Sequence, residues 1–151
     1  MKGLRHISFK FRFTVFGLAF ALILSCNEQT IHSGNLMLTR NPESLPIDFL
    51  PELLYQDAKP TLVGVLDTGG FWSPAQYAVL LQTNTDSEII VNHYLELLRK
   101  ERWQILQSRH FADEKKTVIV AENFIQQIVT IIINDGPNAS IKLYLKKNSD
   151  D

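Results

Sequence analysis

The sequence predicts an α+β fold in which one main helix packs on an antiparallel sheet of about five to six strands, in the order β-β-α-β-β-β-β. Three observations support this prediction. One segment has helical periodicity and a helix start signal, the segments around it have the composition of strands, and the strands after it are joined by short turns. Short connections indicate antiparallel neighbours, because a parallel pair needs a crossover of about a dozen residues or more.

The predicted helix runs from Asp86 to Glu101. Thr85 followed by Glu88 is the capping-box pattern, and Asp86 places a negative charge where the helix dipole favours it. Apolar residues recur at the spacing of one helical face, while polar residues occupy the other face. The apolar face consists of Ile90, Val91, Tyr94, Leu95, Leu97 and Leu98.

The predicted strands lie on both sides of this helix. They are residues 61–66 and 76–83 before it, and 103–109, 116–121, 124–134 and 140–146 after it. The last strand alternates, with Ile141, Leu143 and Leu145 on one side and Lys142, Tyr144 and Lys146 on the other. This alternation predicts one buried face and one face in contact with water.

The strand at residues 124–134 does not alternate, because Ile128 and Ile132 add apolar surface to its second face. A second apolar face needs a cover, and the candidate within the chain is the proline-punctuated apolar segment at residues 45–55. We expect this segment to lie over the second face. If it does not, that face is an apolar patch and a candidate surface for a partner.

The loop between the first two predicted strands contains two large aromatic residues, Phe71 and Trp72, after Gly69 and Gly70. Exposed aromatic residues at a loop tip often form a contact site. Trp72 could equally fold back and cover the edge of the sheet. Both interpretations remain open from the sequence.

The first 25 residues have the pattern of a secretory signal peptide. Cationic residues precede the apolar run at residues 13–24, which is followed by Ser25 and the only cysteine, Cys26. Twelve residues of helix rise only about 18 Å, against a hydrocarbon core of about 30 Å. A permanent transmembrane span is therefore the weaker interpretation.

The residues Ile23-Leu24-Ser25-Cys26 resemble the lipobox of bacterial lipoproteins. This resemblance implies diacylglyceryl transfer to the sulfur of Cys26, cleavage between Ser25 and Cys26, and acylation of the new amino terminus by a fatty acid such as palmitate. Asn27, rather than aspartate, follows the cysteine, and in Gram-negative lipoproteins this implies the periplasmic face of the outer membrane. The alternative is an ordinary signal peptide cut near a cysteine.

Cleavage would divide the chain into a signal peptide at residues 1–25, a lipidated cysteine with a flexible tether at 26–44, and a single domain at 45–151. The alternative for Leu36 to Leu38 is that they dock on the domain, which the sequence leaves open. Four of the 15 cationic residues and none of the 16 acidic ones lie in the signal peptide, so the mature net charge is −5. This balance gives no reason to expect nucleic-acid binding. A single cysteine also excludes an intrachain disulfide.

The helix sequence from Thr85 to Leu98, closed by Arg102-Trp103 and followed by a strand meander, resembles a recurrent module of small bacterial lipoproteins and periplasmic proteins. It is similar in layout to the helix-grip domains of the lipoprotein C-subunit of the outer-membrane β-barrel assembly machinery. The resemblance implies a binding or accessory protein and brings no catalytic residues.

The residues themselves contain no catalytic or metal-binding pattern. His32, His93 and His110 are too scattered for metal-ligand spacing, and no serine stands in a nucleophile-elbow context. We therefore expect no cofactor and no enzymatic activity. The predicted function is a lipid-anchored periplasmic domain that binds a protein partner; the alternative is a carrier of a small apolar ligand in a cleft between helix and sheet.

Overall fold

The computed structural model describes residues 29–67, 76–136 and 139–147. These residues form an α+β domain with eight strands in one sheet and one α-helix, α1 (Ser87–Lys100). The strands are β1 (Gln29–Ser33), β2 (Leu36–Arg40), β3 (Lys59–Leu66), β4 (Gln76–Gln82), β5 (Gln104–Phe111), β6 (Lys116–Glu122), β7 (Ile128–Asn134) and β8 (Ser140–Lys146). A short 3-10 helix spans Pro51–Leu53.

Every neighbouring pair in the sheet is antiparallel, and the spatial order is β1-β2-β3-β4-β8-β7-β6-β5. After β4 the chain passes through α1 to the far edge at β5 and then returns strand by strand to β8, which pairs with β4. The expected α+β class with one helix on an antiparallel sheet is confirmed. The sheet has eight strands among the described residues, rather than five to six.

Two additional strands come from the segment that we expected to be a tether. Residues Gln29–Arg40 form the β1–β2 hairpin, and β2 continues the sheet by pairing with β3. Gly34 has φ +58°, a value that a tight two-residue hairpin turn requires and that glycine adopts without strain. The expectation of a flexible tether is therefore wrong for these residues.

Helix α1 lies where the periodicity predicts it, with one correction at its start. The N-cap is Asp86, whose carboxylate accepts a hydrogen bond from the backbone N–H of Glu88 at 2.8 Å. The hydroxyl of Thr85 instead pairs with that of Thr83 at 3.1 Å. Asp86 also has the extended backbone of an N-cap residue, with φ −61° and ψ 140°.

The segment at residues 45–55 packs on the same side of the sheet as α1, so the expectation that it covers the opposite side is wrong. The ring of Phe49 meets Tyr77 of β4 edge-on, with centroids 6.3 Å apart. The hydroxyl of Tyr94 in α1 donates a hydrogen bond to the carbonyl of Leu53 at 3.0 Å. Since α1 contacts β5 and β7, this segment completes the cover over β4.

One hydrophobic core therefore lies between the sheet and a layer made of α1 and the 45–55 segment. Its fully buried side chains include Ile90, Tyr94 and Leu98 from the helix, and Ile131, Ile141 and Leu143 from the sheet. We call this side of the sheet the inner face and the opposite side the outer face.

Candidate functional site

The outer face is defined by the strand register, because residues that pair directly across antiparallel strands point to the same side. Its central row carries no charge and consists of Leu38, Gly64, Ala78, Tyr144, Thr130 and Val120. One neighbouring row consists of Arg40, Leu62, Leu80, Lys142, Ile132 and Val118. The other consists of Leu36, Leu66, Gln76, Lys146, Ile128 and Glu122.

Large apolar side chains on this face remain accessible to solvent. Leu62, Leu66 and Tyr144 are 37%, 36% and 45% exposed. The segment expected to cover them lies on the inner face instead. A contiguous, partly exposed apolar surface with charges at its border is typical of an interaction site.

A groove runs along β3 and β4 in the middle of this surface, and we call it the β3/β4 groove. Gly64 and Ala78, a directly paired couple with minimal side chains, form its floor. We call Leu38 on β2 and Tyr144 on β8 its two walls; their strands are three spacings, or about 14 Å, apart. The lining continues past Tyr144 to Ile128 and Thr130 on β7. The hollow has a volume of about 330 Å³.

The groove continues past Tyr144 into a second hollow of about 160 Å³, which Ala78, Leu80 and Lys142 help to line. Both hollows touch Ala78 and Tyr144. The tyrosine ring therefore stands between two depressions of one apolar channel.

Gly64 keeps the floor low and makes room for the side chain of Leu38, which lies over it. A Cβ atom at this position would come within 3.2 Å of Cδ2 of Leu38 and within 3.6 Å of the Cβ of Ala78. A glycine inside a strand weakens the strand and often marks a site where another group approaches closely. The glycine among the apolar residues at 61–66 is the sequence signal that could have indicated this groove.

Charge is distributed unequally between the two sides of the domain. The outer face carries six cationic side chains and one carboxylate, Glu122; one of the six, Lys116, forms an ion pair with Glu114 in the adjacent turn. The cations are Arg40, Lys59, Arg109, Lys116, Lys142 and Lys146. The remaining described residues carry five cationic side chains, at positions 99, 100, 102, 115 and 147.

Those remaining residues also carry twelve carboxylates, at positions 43, 48, 52, 57, 67, 86, 88, 96, 101, 113, 114 and 135. The described residues thus carry more carboxylates than cationic side chains, yet the outer face is positive. Segregation of this kind selects the charge of a partner.

Four residues singled out from the sequence, Ser25, Cys26, Phe71 and Trp72, lie outside the described residues. The loop that contains Phe71 and Trp72 leaves the sheet at Leu66 and returns at Gln76. Leu66 and Gln76 both line the β3/β4 groove. The loop thus starts and ends at one end of the groove.

The cleft between helix and sheet, the alternative place for a small apolar ligand, is filled by protein side chains. Ile90, Tyr94 and Leu98 of α1 have no exposed surface, and neither have Ile131 and Leu143 of the strands beneath them. These side chains leave no space for a ligand between them, whereas the β3/β4 groove on the outer face is an apolar hollow.

Within the described residues, no group of three or more His, Cys, Asp and Glu side chains is placed to hold a metal ion. His110 is close to Thr117, with 3.1 Å between Nδ1 and Oγ1, and His93 packs its ring edge-on against Tyr55. Separately, no helix in the described ranges has the length and apolar character needed to cross a membrane.

Comparison with known proteins gave no match to a protein-family model, to a curated protein or to a solved structure. The groove and its charges are therefore the observations on which a function can be proposed.

Proposed function

We propose that this chain is a lipid-anchored protein of the bacterial cell envelope, on the periplasmic face of the outer membrane, and that its domain binds a protein partner through the β3/β4 groove. The observation that supports this proposal is the apolar groove on the sheet face that α1 and the 45–55 segment leave open. Such a face is the surface on which another helix or sheet can pack. The role is that of a binding or accessory module and requires no catalytic group.

The anchor is the lipid on Cys26 that the lipobox pattern implies. Because β1 begins at Gln29, only Asn27 and Glu28 separate Cys26 from the sheet. Three residue steps span at most about 11 Å. A lipid on Cys26 would therefore hold the β1–β2 edge close to the headgroups, whereas a tether of 18 residues would have let the domain move away.

A protein partner fits the groove better than an enclosed small molecule does. The groove is open along its length, its walls are about 14 Å apart, and charged side chains border its apolar centre. An apolar centre with a polar border is the usual anatomy of a protein interface.

The second candidate is a carrier of a small apolar ligand, now placed in the outer groove. A volume of about 330 Å³ is at the lower end of the range for ligand pockets.

Site-specific photo-crosslinking in the native envelope tests the partner surface. A benzophenone amino acid would replace Leu66 in one variant and Tyr144 in another, and Ile89 would serve as the control. Ile89 is 58% exposed but lies on α1, on the other side of the domain. We expect both groove positions, but not Ile89, to give a discrete crosslinked protein.

Filling the floor with Ala78→Phe should abolish these crosslinks while the unfolding temperature of the protein stays unchanged. Equal crosslinking from Ile89, or no protein crosslink from either groove position, would contradict the proposal. An apolar small molecule that co-purifies with the protein and is lost in Ala78→Phe would favour the carrier instead.

The anchor has its own test, which is independent of the groove. Cys26→Ser should abolish incorporation of radiolabelled palmitate and release the protein from the membrane fraction on cell lysis. Persistent labelling of the serine variant would refute the lipid anchor and leave the groove proposal standing.

A further inference from the structure

We propose that the partner presents an amphipathic α-helix, whose apolar stripe lies in the β3/β4 groove and whose flanking acidic side chains pair with cations on the two groove walls. This inference rests on the proposed function and specifies the class of partner for the same groove.

The dimensions of the groove match a helix. Its walls, Leu38 and Tyr144, stand about 14 Å apart, and an α-helix with its side chains is about 10–12 Å across. Between these strands Gly64 and Ala78 carry no large side chain, and the side chain of Leu38 lies over Gly64, so the apolar stripe of the helix would pack on Leu38 and Ala78. Packing of an apolar helix face into such a groove is a common mode of peptide recognition.

Each wall has an apolar middle; the β2 wall has one cationic end and the β8 wall has two. The β2 wall runs from Leu36 through Leu38 to Arg40, and the β8 wall runs from Lys146 through Tyr144 to Lys142. Lys142 and Lys146 are four residues apart on one strand, or about 13 Å, which corresponds to roughly nine residues of helix. The complementary helix therefore carries carboxylates on both sides of its apolar stripe, about two to three turns apart.

A second copy of this chain is a poor occupant of the groove. Two outer faces packed on each other would bring together six cations and one carboxylate from each copy. Juxtaposed like charges oppose such an association.

An anionic bilayer surface fits less well than a helix. It could reach the cations on the walls but would leave the recessed floor at Gly64 and Ala78 without apolar contact. A helix fills the floor and meets the cations at once.

Two synthetic helical peptides provide the probe. Both have 18 residues and the same leucine and alanine stripe; one has glutamate on both flanks and the other has lysine. Binding to the full chain in phosphatidylcholine nanodiscs would be measured by fluorescence anisotropy. We expect the glutamate peptide to bind roughly tenfold or more tightly than the lysine peptide, because several partly exposed ion pairs each change affinity by a few-fold at most.

The expected charge dependence has two further parts. Raising salt should weaken binding of the glutamate peptide, since screening acts on exposed charges within a Debye length of about 10 Å at 0.1 M. Lys142→Glu should weaken the glutamate peptide several-fold and strengthen the lysine peptide. The matched control is Lys100→Glu, on an 80% exposed side chain of α1, which should alter neither affinity.

Four outcomes would overturn the inference: equal affinity for both peptides, no binding of either peptide, an unchanged preference in Lys142→Glu, or preference for phosphatidylglycerol over phosphatidylcholine nanodiscs without peptide binding. The last would assign the face to anionic lipid. Dimerisation of the free chain that Ala78→Phe abolishes would overturn it too and assign the face to a second copy. Equal affinity, no peptide binding or an unchanged preference would leave the protein crosslinks from Leu66 and Tyr144 in place, so failure of this inference alone is distinguishable from failure of the proposed function, in which those crosslinks are absent.

Discussion

Tyr94 joins three parts of the domain through a single side chain. It belongs to α1, its ring is fully buried in the core, and its hydroxyl donates to the carbonyl of Leu53 in the segment at residues 45–55. That carbonyl belongs to a short 3-10 helix and has no strand partner. A buried carbonyl that loses its donor costs free energy, so the hydroxyl is as important as the ring.

We expect Tyr94→Phe to lower the free energy of unfolding by about 1–3 kcal/mol, because the Leu53 carbonyl would remain buried without a partner. Denaturant unfolding monitored by tryptophan fluorescence would measure this loss. Tyr144→Phe is the control: Tyr144 is 45% exposed on the outer face, and its change should be near zero. Equal effects at the two positions would contradict the role given to the Tyr94 hydroxyl.

The same residue predicts how stability depends on pH. Burial raises the pKa of Tyr94, and burial followed by the nearby Asp48 carboxylate raises the pKa of Tyr77. A raised folded-state pKa of an acid stabilises the folded state fully below the unfolded value of about 10, and this contribution is lost as pH rises through the folded-state pKa.

We therefore expect the free energy of unfolding to fall steeply above pH 10. The fall should be shallower in Tyr94→Phe, which has one buried phenol fewer. Parallel pH profiles for the wild-type and variant proteins would show that Tyr94 does not titrate as its burial predicts.

At the scale of the elements, the carboxyl end of α1 lies where the sequence predicts it, but the turn that follows contains a strained residue, Arg102. The backbone N–H of Trp103 donates to the carbonyl of Leu98 at 2.8 Å, and the backbone N–H of Arg102 donates to the carbonyl of Arg99 at 3.2 Å. These two bonds form the Schellman motif, and they place Arg102 at φ +60°. This position normally belongs to glycine, because a Cβ atom disfavours the left-handed conformation.

Replacing Arg102 by glycine should raise the free energy of unfolding by about 0.5–1 kcal/mol, since the removed strain exceeds the entropy that glycine costs on folding. The control is Lys100→Gly, two residues earlier at the last residue of α1, where the backbone is helical and glycine should destabilise the protein by about 1 kcal/mol. Thermal unfolding by circular dichroism would resolve the opposite signs. Destabilisation by both changes would refute a strained Arg102.

The β1–β2 hairpin is the element that sequence patterns did not reveal. All five residues of β1 are exposed, and its composition is polar, so it lacks the alternation that marks a half-buried strand. Only the Gly34-Asn35 pair between short β-prone runs indicates the turn. The hairpin exists because β2 pairs with the edge of β3, a contact between segments about 25 residues apart that composition does not encode.

For the whole molecule, the arrangement of two unlike faces decides which apolar residues stabilise the fold and which remain exposed to solvent. The inner face forms the core, and the outer face carries the groove and the cations. Leu143 and Tyr144 are neighbours on β8 that point to opposite faces: Leu143 is fully buried and Tyr144 is half-exposed. They allow the layer arrangement to be tested within one strand.

Leu143→Ala should cost about 2–5 kcal/mol of stability, because it leaves a cavity in the core, whereas Tyr144→Ala should cost less than about 1 kcal/mol. Partner crosslinking from Leu66 should show the reverse order, being lost in Tyr144→Ala and kept in any Leu143→Ala protein that remains folded. Chemical denaturation and crosslink yield together check both expectations. A large stability loss in Tyr144→Ala would mean that the outer face is part of the core.

The sequence by itself determined the elements whose signals are local. Periodicity placed α1 to within a residue at each end, alternation and turn residues placed β8 at Ser140–Lys146, and the non-alternating strand indicated that a second sheet face was apolar. Each of these depends on contacts between residues close together in the chain, so the pattern of residue types contains the answer.

Only the tertiary structure decided which layer covers which face. The 45–55 segment was apolar enough to cover either side of the sheet. It packs on the inner face, because α1 leaves the surface around Tyr77 open to Phe49 and because Tyr94 donates a hydrogen bond to the carbonyl of Leu53. The same choice exposed the groove above Gly64 and Ala78 and gathered six cations from five strands on one face. Burial and charge segregation of this kind arise from residues far apart in sequence, which a local pattern does not record.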